Sequence, residues 1–290
     1  MAGIRIEGNT SGNVAEVNTG NEVKVALNSD PDLTGFINMS CESSTGEFLG
    51  APVRRPADIT HDSRLRVGSD NIVFNEWFAG TTVNSTIWAT PQSTATVTQA
   101  GGFLNVNAAS SLTATQGAMF KSWRTFPVFG TFTTYFEFLV KIPLSGFNNA
   151  KAEWGAALHV STVASDPADG AFFRLTSSGL ECVLVNNASE ITSTAISSVT
   201  LTAQGIDINE TNHYIISIGE DSVEYWIEDY MVANITRPAG GIAPTASQML
   251  AIYGRVYNTG TNTGNALRLQ VAMCNVSFGD METAKFWGLS

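Results

Sequence analysis

The sequence predicts an all-β protein, a two-sheet sandwich or a barrel over residues 70–290, preceded by an extended N-terminal arm with short strands over residues 1–69. Three observations carry this. Short apolar runs with two-residue alternation follow one another from about Asn71 to the end. No long segment has a 3.6-residue apolar period. Only 14% of the chain is charged against a usual share of about 25%, and Thr, Ser, Asn and Gly take the place of the missing charge.

The arm reads as IRIEG, VAEV and EVKVAL, separated by NTSGN and NTGN. Asn and Gly tolerate positive φ, so tight hairpin turns fit these two groups. After Leu27 come loop-like stretches with three prolines between residues 31 and 56. There is too little apolar material here for an independent core. Such an arm gains order only by lying on its own body or on a neighbouring subunit. Near its end, Arg54, Arg55, Arg64 and Arg66 gather four of the fifteen basic residues into a stretch of an otherwise acidic chain. They read either as solvated loop charges paired with Asp58, Asp62 and Asp70, or as forks that grip carboxylates on a partner.

In the body, FLNVNA alternates over 103–108, and TFTTYFEFLVKI places Phe132, Phe136, Phe138, Val140 and Ile142 on one face. GAFFRLT and GLECVLVNN flank Ser-Ser-Gly, a hairpin signal. HYIISIGEDSVEYWIEDYMVANI (213–235) reads as three meandering strands, with turns at 219–222 and near 228–230. Residues 249–278 read as two more strands around a Thr/Asn/Gly loop. Phe120, Trp123, Phe126, Phe129, Phe132 and Tyr135 recur every third residue, which imitates a helix face. Pro127 and Gly130 break it, so the reading is strand, turn and strand.

A net charge of −11 argues against a nucleic-acid partner, which would need a basic stripe. No apolar run approaches a membrane span, and the opening MAGIRIEGNT has no secretory h-region. Cys41, Cys182 and Cys274 lie far apart and read as small buried hydrophobes in a reducing compartment. His61, His159 and His213 have no partner at metal spacing, and neither metal nor cofactor is expected.

Paired carboxylates receive a closer reading, because sandwich glycosidases place them on one strand. Glu224 and Glu228 are four residues apart, one of them at a turn, and the two-residue spacing of carboxylates on one catalytic strand is absent. No enzymatic activity is therefore expected. An unusual hydrolase would require two carboxylates about 5–10 Å apart in a cleft. Asp166 and Asp169 in SDPADG read as a solvated turn rather than a calcium loop. The aromatics read chiefly as core. As an alternative, Trp88, Trp123, Trp154, Trp226 and Tyr253 would line a sugar-stacking groove.

Two stretches resemble known families. SGNVAEVNTGNEVKVAL is similar to the opening of many tailed-bacteriophage virion proteins. DSRLRVGSDNIVFNEWFAGTTVNSTIW with FKSWRTFPVFGTFTTYFEF resembles a widespread group of phage structural proteins. HYIISIGEDSVEYWIED resembles the concanavalin-like jelly roll of lectins, laminin-type domains and some glucanases. These resemblances imply a capsid decoration or cement protein, made in the host bacterial cytoplasm and carried on the outer surface of the virion. Its jelly-roll sandwich would be held by the arm to the major capsid protein or other virion subunits. Self-association, as a trimer, is implied as well, and Phe286 and Trp287 near the C-terminus would be a strand end or a small interface anchor. The alternative function is a carbohydrate-binding module of a head or tail appendage that recognises host surface glycans.

Overall fold

A computed structural model describes residues 71–279 apart from 109–112, 129–132, 144–146, 159–161, 262–263 and 265, and, before residue 71, the backbone of five short strands. The chain divides into two units, residues 1–68 and 69–290. In the first, β1 (Ile6–Glu7), β2 (Val14–Val17) and β3 (Val23–Val25) form an antiparallel sheet in that order. β4 (Cys41–Glu42) pairs with β5 (Phe48–Leu49). Arg54, Arg55, Arg64, Arg66, His61 and His159 lie outside the described residues, as do Phe129, Phe132, Phe286 and Trp287.

The second unit is the antiparallel sandwich. Its strands are β6 (Asn71–Trp77), β7 (Trp88–Ala89), β8 (Gln92–Ser93), β9 (Thr96–Ala100), β10 (Phe103–Asn107), β11 (Gly117–Pro127), β12 (Thr134–Lys141), β13 (Ala150–Ala157), β14 (Gly170–Thr176), β15 (Gly179–Asn186) and β16 (Ser189–Thr192). A six-residue helix, α1 (Ser198–Ala203), follows, capped by the Ser197 hydroxyl. β17 (Asn212–Ile218), β18 (Ser222–Ile227), β19 (Tyr230–Thr236), β20 (Met249–Asn258) and β21 (Arg268–Phe278) complete it. Sheet I runs β19-β18-β17-β12-β21-β10-β9, with β6 also on β21; sheet II runs β16-β15-β14-β13-β20-β11-β7, with β8 on β11.

Alternation sets the layers. On β12, Phe136, Phe138 and Val140 are buried while Tyr135, Glu137 and Leu139 are half-exposed. On β18, Val223, Tyr225 and Ile227 go inward and Glu224 and Trp226 outward. The inward sets of the two sheets meet in one core. Trp154 stacks on Phe173 at 5.7 Å and meets the edge of Tyr214 at 5.0 Å. The Tyr225 hydroxyl donates across the core to the carbonyl of Val183 at 2.7 Å. At one edge, Trp88 packs against Phe74, Phe78 and Phe120. Cys182 and Cys274 are buried free thiols, and burial pushes the Cys182 thiol up to about 12.

The meander of β17, β18 and β19 and the hairpin of β14 and β15 stand where the sequence places them. β20 and β21 differ. They are consecutive, but each sits in the interior of a different sheet, so the chain crosses the sandwich between them. The threefold aromatic recurrence is resolved by an irregularity in the β11–β20 pairing between Lys121 and Thr125. It leaves Phe120 and Phe126 inward and Trp123 exposed at 56%.

Candidate functional site

Two outward faces carry chemistry. On sheet II, the outward face is buried along β13, β14 and β20. Glu153 of β13 is opposite Arg174 of β14 and Arg255 of β20 in register. Its Oε1 accepts from Arg174 Nε at 2.8 Å, and its Oε2 from Arg255 Nε at 2.7 Å and the Tyr253 hydroxyl at 2.9 Å. Arg174 forks onto both oxygens of Glu190 at 2.6 and 2.9 Å. Arg255 reaches into the loop after β13, donating to the carbonyls of Val163 and Ser165 and to Asp166 Oδ1. Its guanidinium lies 4.0 Å over the Tyr257 ring. Burial opposes the charge of both arginines, but the surrounding acceptors outweigh it, Glu190 and Glu153 at Arg174 and Tyr253 and Glu153 at Arg255, so both are held firmly protonated. Burial, with Glu153 beside it, keeps the Tyr253 hydroxyl neutral.

This geometry divides the stretch read as a solvated turn: Ser165 and Asp166 are exposed, while Asp169 is not. Asp166 is an ion-pair partner of a fully buried arginine. Asp169 is itself buried, accepting from the amides of Asn187 at 2.8 Å and Ala246 at 2.6 Å, which ties the loop to two others.

On sheet I, the outward face is partly open: Trp77 and Met231 are exposed, Glu137, His213 and Trp226 are half-buried, and Met273, Asn275 and Ser277 are buried. Register places Asn75, Asn275, Glu137, Ile215, Trp226 and Met231 in one cross-strand row over six adjacent strands. The next row holds Trp77, Met273, Leu139 and His213. Glu137 is the hub. Its Oε2 accepts from His213 Nε2 at 3.1 Å, and its Oε1 faces Asn275 Nδ2 at 3.2 Å and Ser277 Oγ at 3.5 Å. Trp226 donates from Nε1 to Glu224 at 3.2 Å, which steadies the indole on the surface. Trp77 is 57% exposed and Met231 43%.

The five aromatics that the sequence offers as a stacking groove therefore separate. Trp88, Trp154 and Tyr253 are buried, the first two in the core and the third on Glu153, so they form no part of an open platform. Trp123 is exposed on β11 of sheet II, its indole donating to Ser85 at 3.1 Å. Only Trp226 lies on the outward face of sheet I. Glu224 and Glu228 do not form a strand-mounted pair: Glu224 bonds Trp226, and Glu228, at positive φ in the β18–β19 turn, accepts from the His213 amide at 2.7 Å. Sequence reasoning missed Trp77, Glu137 and the role of His213. Their signal was present in part, as polar members at the outward positions of alternating strands. The pairing of β12 with β17 and β21 brings them together, and local pattern does not encode that pairing.

No protein-family model and no curated protein matches the chain. Solved structures do. An endo-β-1,3-glucanase from Pyrococcus furiosus is similar with a TM-score of 0.54 at 13% identity, over 71% of this chain and 94% of that one. An endo-1,3-β-glucanase catalytic domain from Thermotoga petrophila is similar with a TM-score of 0.52 at 10% identity, over 74% and 99%. A pseudo β-1,3-glucanase and immunostimulatory antigen of Mycobacterium tuberculosis gives 0.51 at 13% identity, over 72% and 99%. The chain thus has the jelly-roll sandwich of these carbohydrate-active proteins. The expectation of no enzymatic activity is corrected here: the fold is one that glycoside hydrolases use, and the four-residue separation of Glu224 and Glu228 does not exclude catalysis.

Proposed function

We propose that the chain is a virion surface subunit whose sandwich recognises glycans, with residues 1–69 attaching it to the rest of the particle. The observation that carries the recognition half is the outward face of sheet I. There exposed Trp77 and half-buried Trp226 flank a carboxylate, an imidazole and a carboxamide already joined by hydrogen bonds. Sugars are bound by such a combination: an apolar ring face for the C–H side and fixed polar groups for the hydroxyls. The kinship of the fold with glycan-cleaving proteins supports the same substrate class. The attachment half rests on the phage-like motifs of the first 140 residues and on the arginines at 54, 55, 64 and 66.

The test has two arms. The full chain is presented to immobilised neutral and sialylated oligosaccharides, and bound glycans are then assayed for new reducing ends. Retention of at least one glycan class supports recognition, and new reducing ends would add hydrolysis to it. No retention of any glycan would overturn it. Separately, a chain lacking residues 1–69 is sedimented with undecorated phage shells. Loss of co-sedimentation by a chain that still melts cooperatively supports the anchoring arm, and unchanged co-sedimentation would refute it.

A further inference from the structure

We infer that Glu137, Asn275, Ser277 and His213 form a subsite for the hydroxyl groups of a neutral sugar, and that anionic sugars are rejected there. The inference rests on the recognition reading above and names the place and the ligand class. Glu137 can only accept hydrogen bonds, which fixes the Asn275 carboxamide with its Nδ2 toward Oε1 at 3.2 Å. The other end of that amide, Oδ1, is then left buried without a donor, on a residue only 8% exposed. An unmet buried acceptor is costly, and a ligand hydroxyl inserted beside Glu137 supplies the missing donor. Ser277, also buried, can turn its hydroxyl either way. Glu137 is thus the acceptor at the surface, its side chain 23% exposed, and the unmet Asn275 Oδ1 lies buried beside it, within reach of a hydroxyl that inserts next to Glu137.

The surroundings fit the same ligand. Trp226 shares the row of Glu137 with Ile215 between them, so the indole lies about 10 Å away, two strand spacings. Trp77 lies two strands away on the opposite side, one row over. A chain of sugar rings laid across the strands would meet indole, acceptors and indole in turn. The charges around Trp226 and the hub include Glu137 and Glu224, with His213 already engaged by Glu137. A carboxylate-bearing sugar would meet like charge there, whereas a neutral one meets no such repulsion.

The experiment is isothermal titration of the full chain with a β-1,3-gluco-oligosaccharide and, separately, with a sialylated oligosaccharide. Wild type, Glu137→Gln and Asn275→Ala are compared, with melts of each as the control on folding. The expected result is binding of the neutral probe, weakened about tenfold or more by each variant that keeps the wild-type melt, and no binding of the sialylated one. If the neutral probe binds wild type and both variants equally, the subsite is wrong while recognition stands on another surface. Preference for the sialylated probe overturns the ligand class alone. If neither probe nor any other immobilised glycan binds, the recognition reading itself fails and the subsite goes with it.

Discussion

Arg255 and Glu153 meet at 2.7 Å, and neither side chain has any exposure to solvent, although both stand on the outward face of a β-sheet. An outward-facing ion pair is ordinarily wet and contributes little. Here Arg255 also binds Val163, Ser165 and Asp166, so the pair sits under the loop that follows β13, the strand of Glu153.

Glu153→Gln keeps the shape and leaves two buried guanidinium groups facing a neutral amide. Breaking a buried pair by removing one partner costs about 3–5 kcal/mol. The melting temperature should fall on the order of 10 °C for a domain of this size. Hydrogen exchange should show the amides of residues 162–169 losing protection before those of β12. An unchanged melt would mean that Asp166 and Glu190 alone hold the arginines.

The Glu190 carboxyl is held below its ordinary 4.5 by its hydrogen bonds from Arg174. A carboxyl whose pKa is lower folded than unfolded stabilises the fold fully above the unfolded value, and the contribution disappears as pH falls through the folded value. Wild type should therefore be more stable than Glu190→Gln at neutral pH. Denaturant titrations should show that margin closing as pH drops below 4.5. A margin that widens in acid would reverse the assignment.

Gly254 faces the core, where an added Cβ would lie 2.3 Å from Cε1 of the Phe120 ring. Gly254→Ala should destabilise by about 1–3 kcal/mol through overpacking. Combining it with Phe120→Leu should cost less than the sum of the single changes, because the two share one space. Strict additivity in urea midpoints would contradict that contact.

Trp226 and Trp123 separate the two outward faces. Trp226→Ala should weaken glycan retention severalfold, the loss of one stacking surface. Trp123→Ala, on β11 of sheet II, should leave retention unchanged. The reverse order would move recognition off sheet I.

Strand positions were readable from the sequence because period-two alternation and turn residues are local. Tyr225 and Trp226 show the limit. Both are aromatic, and only the parity shared with Val223 and Ile227 sends Tyr225 inward and Trp226 out. Trp154 offered no such parity, since AKAEWGAA is buried on both faces once the loop covers sheet II. Trp123 looked like Phe120 and Phe126 until the irregularity after Lys121 changed its phase. Glu137, His213 and Asn275 span 139 positions of sequence and meet only through strand pairing. Glu153 was overlooked for the same reason, its arginines lying on two other strands. The fold class was legible, but the side chains that make its sites were not, because register across strands is a tertiary property.

The outward face of sheet I is the proposed sugar-binding surface. The most direct measurement is a crystal structure of the full chain grown with a β-1,3-gluco-oligosaccharide. The account predicts density for sugar rings over Trp226 and beside Glu137, running toward Trp77, with a hydroxyl within hydrogen-bond distance of Asn275 Oδ1. Sugar bound only on sheet II, or a saturated crystal with an empty sheet I face, would contradict it.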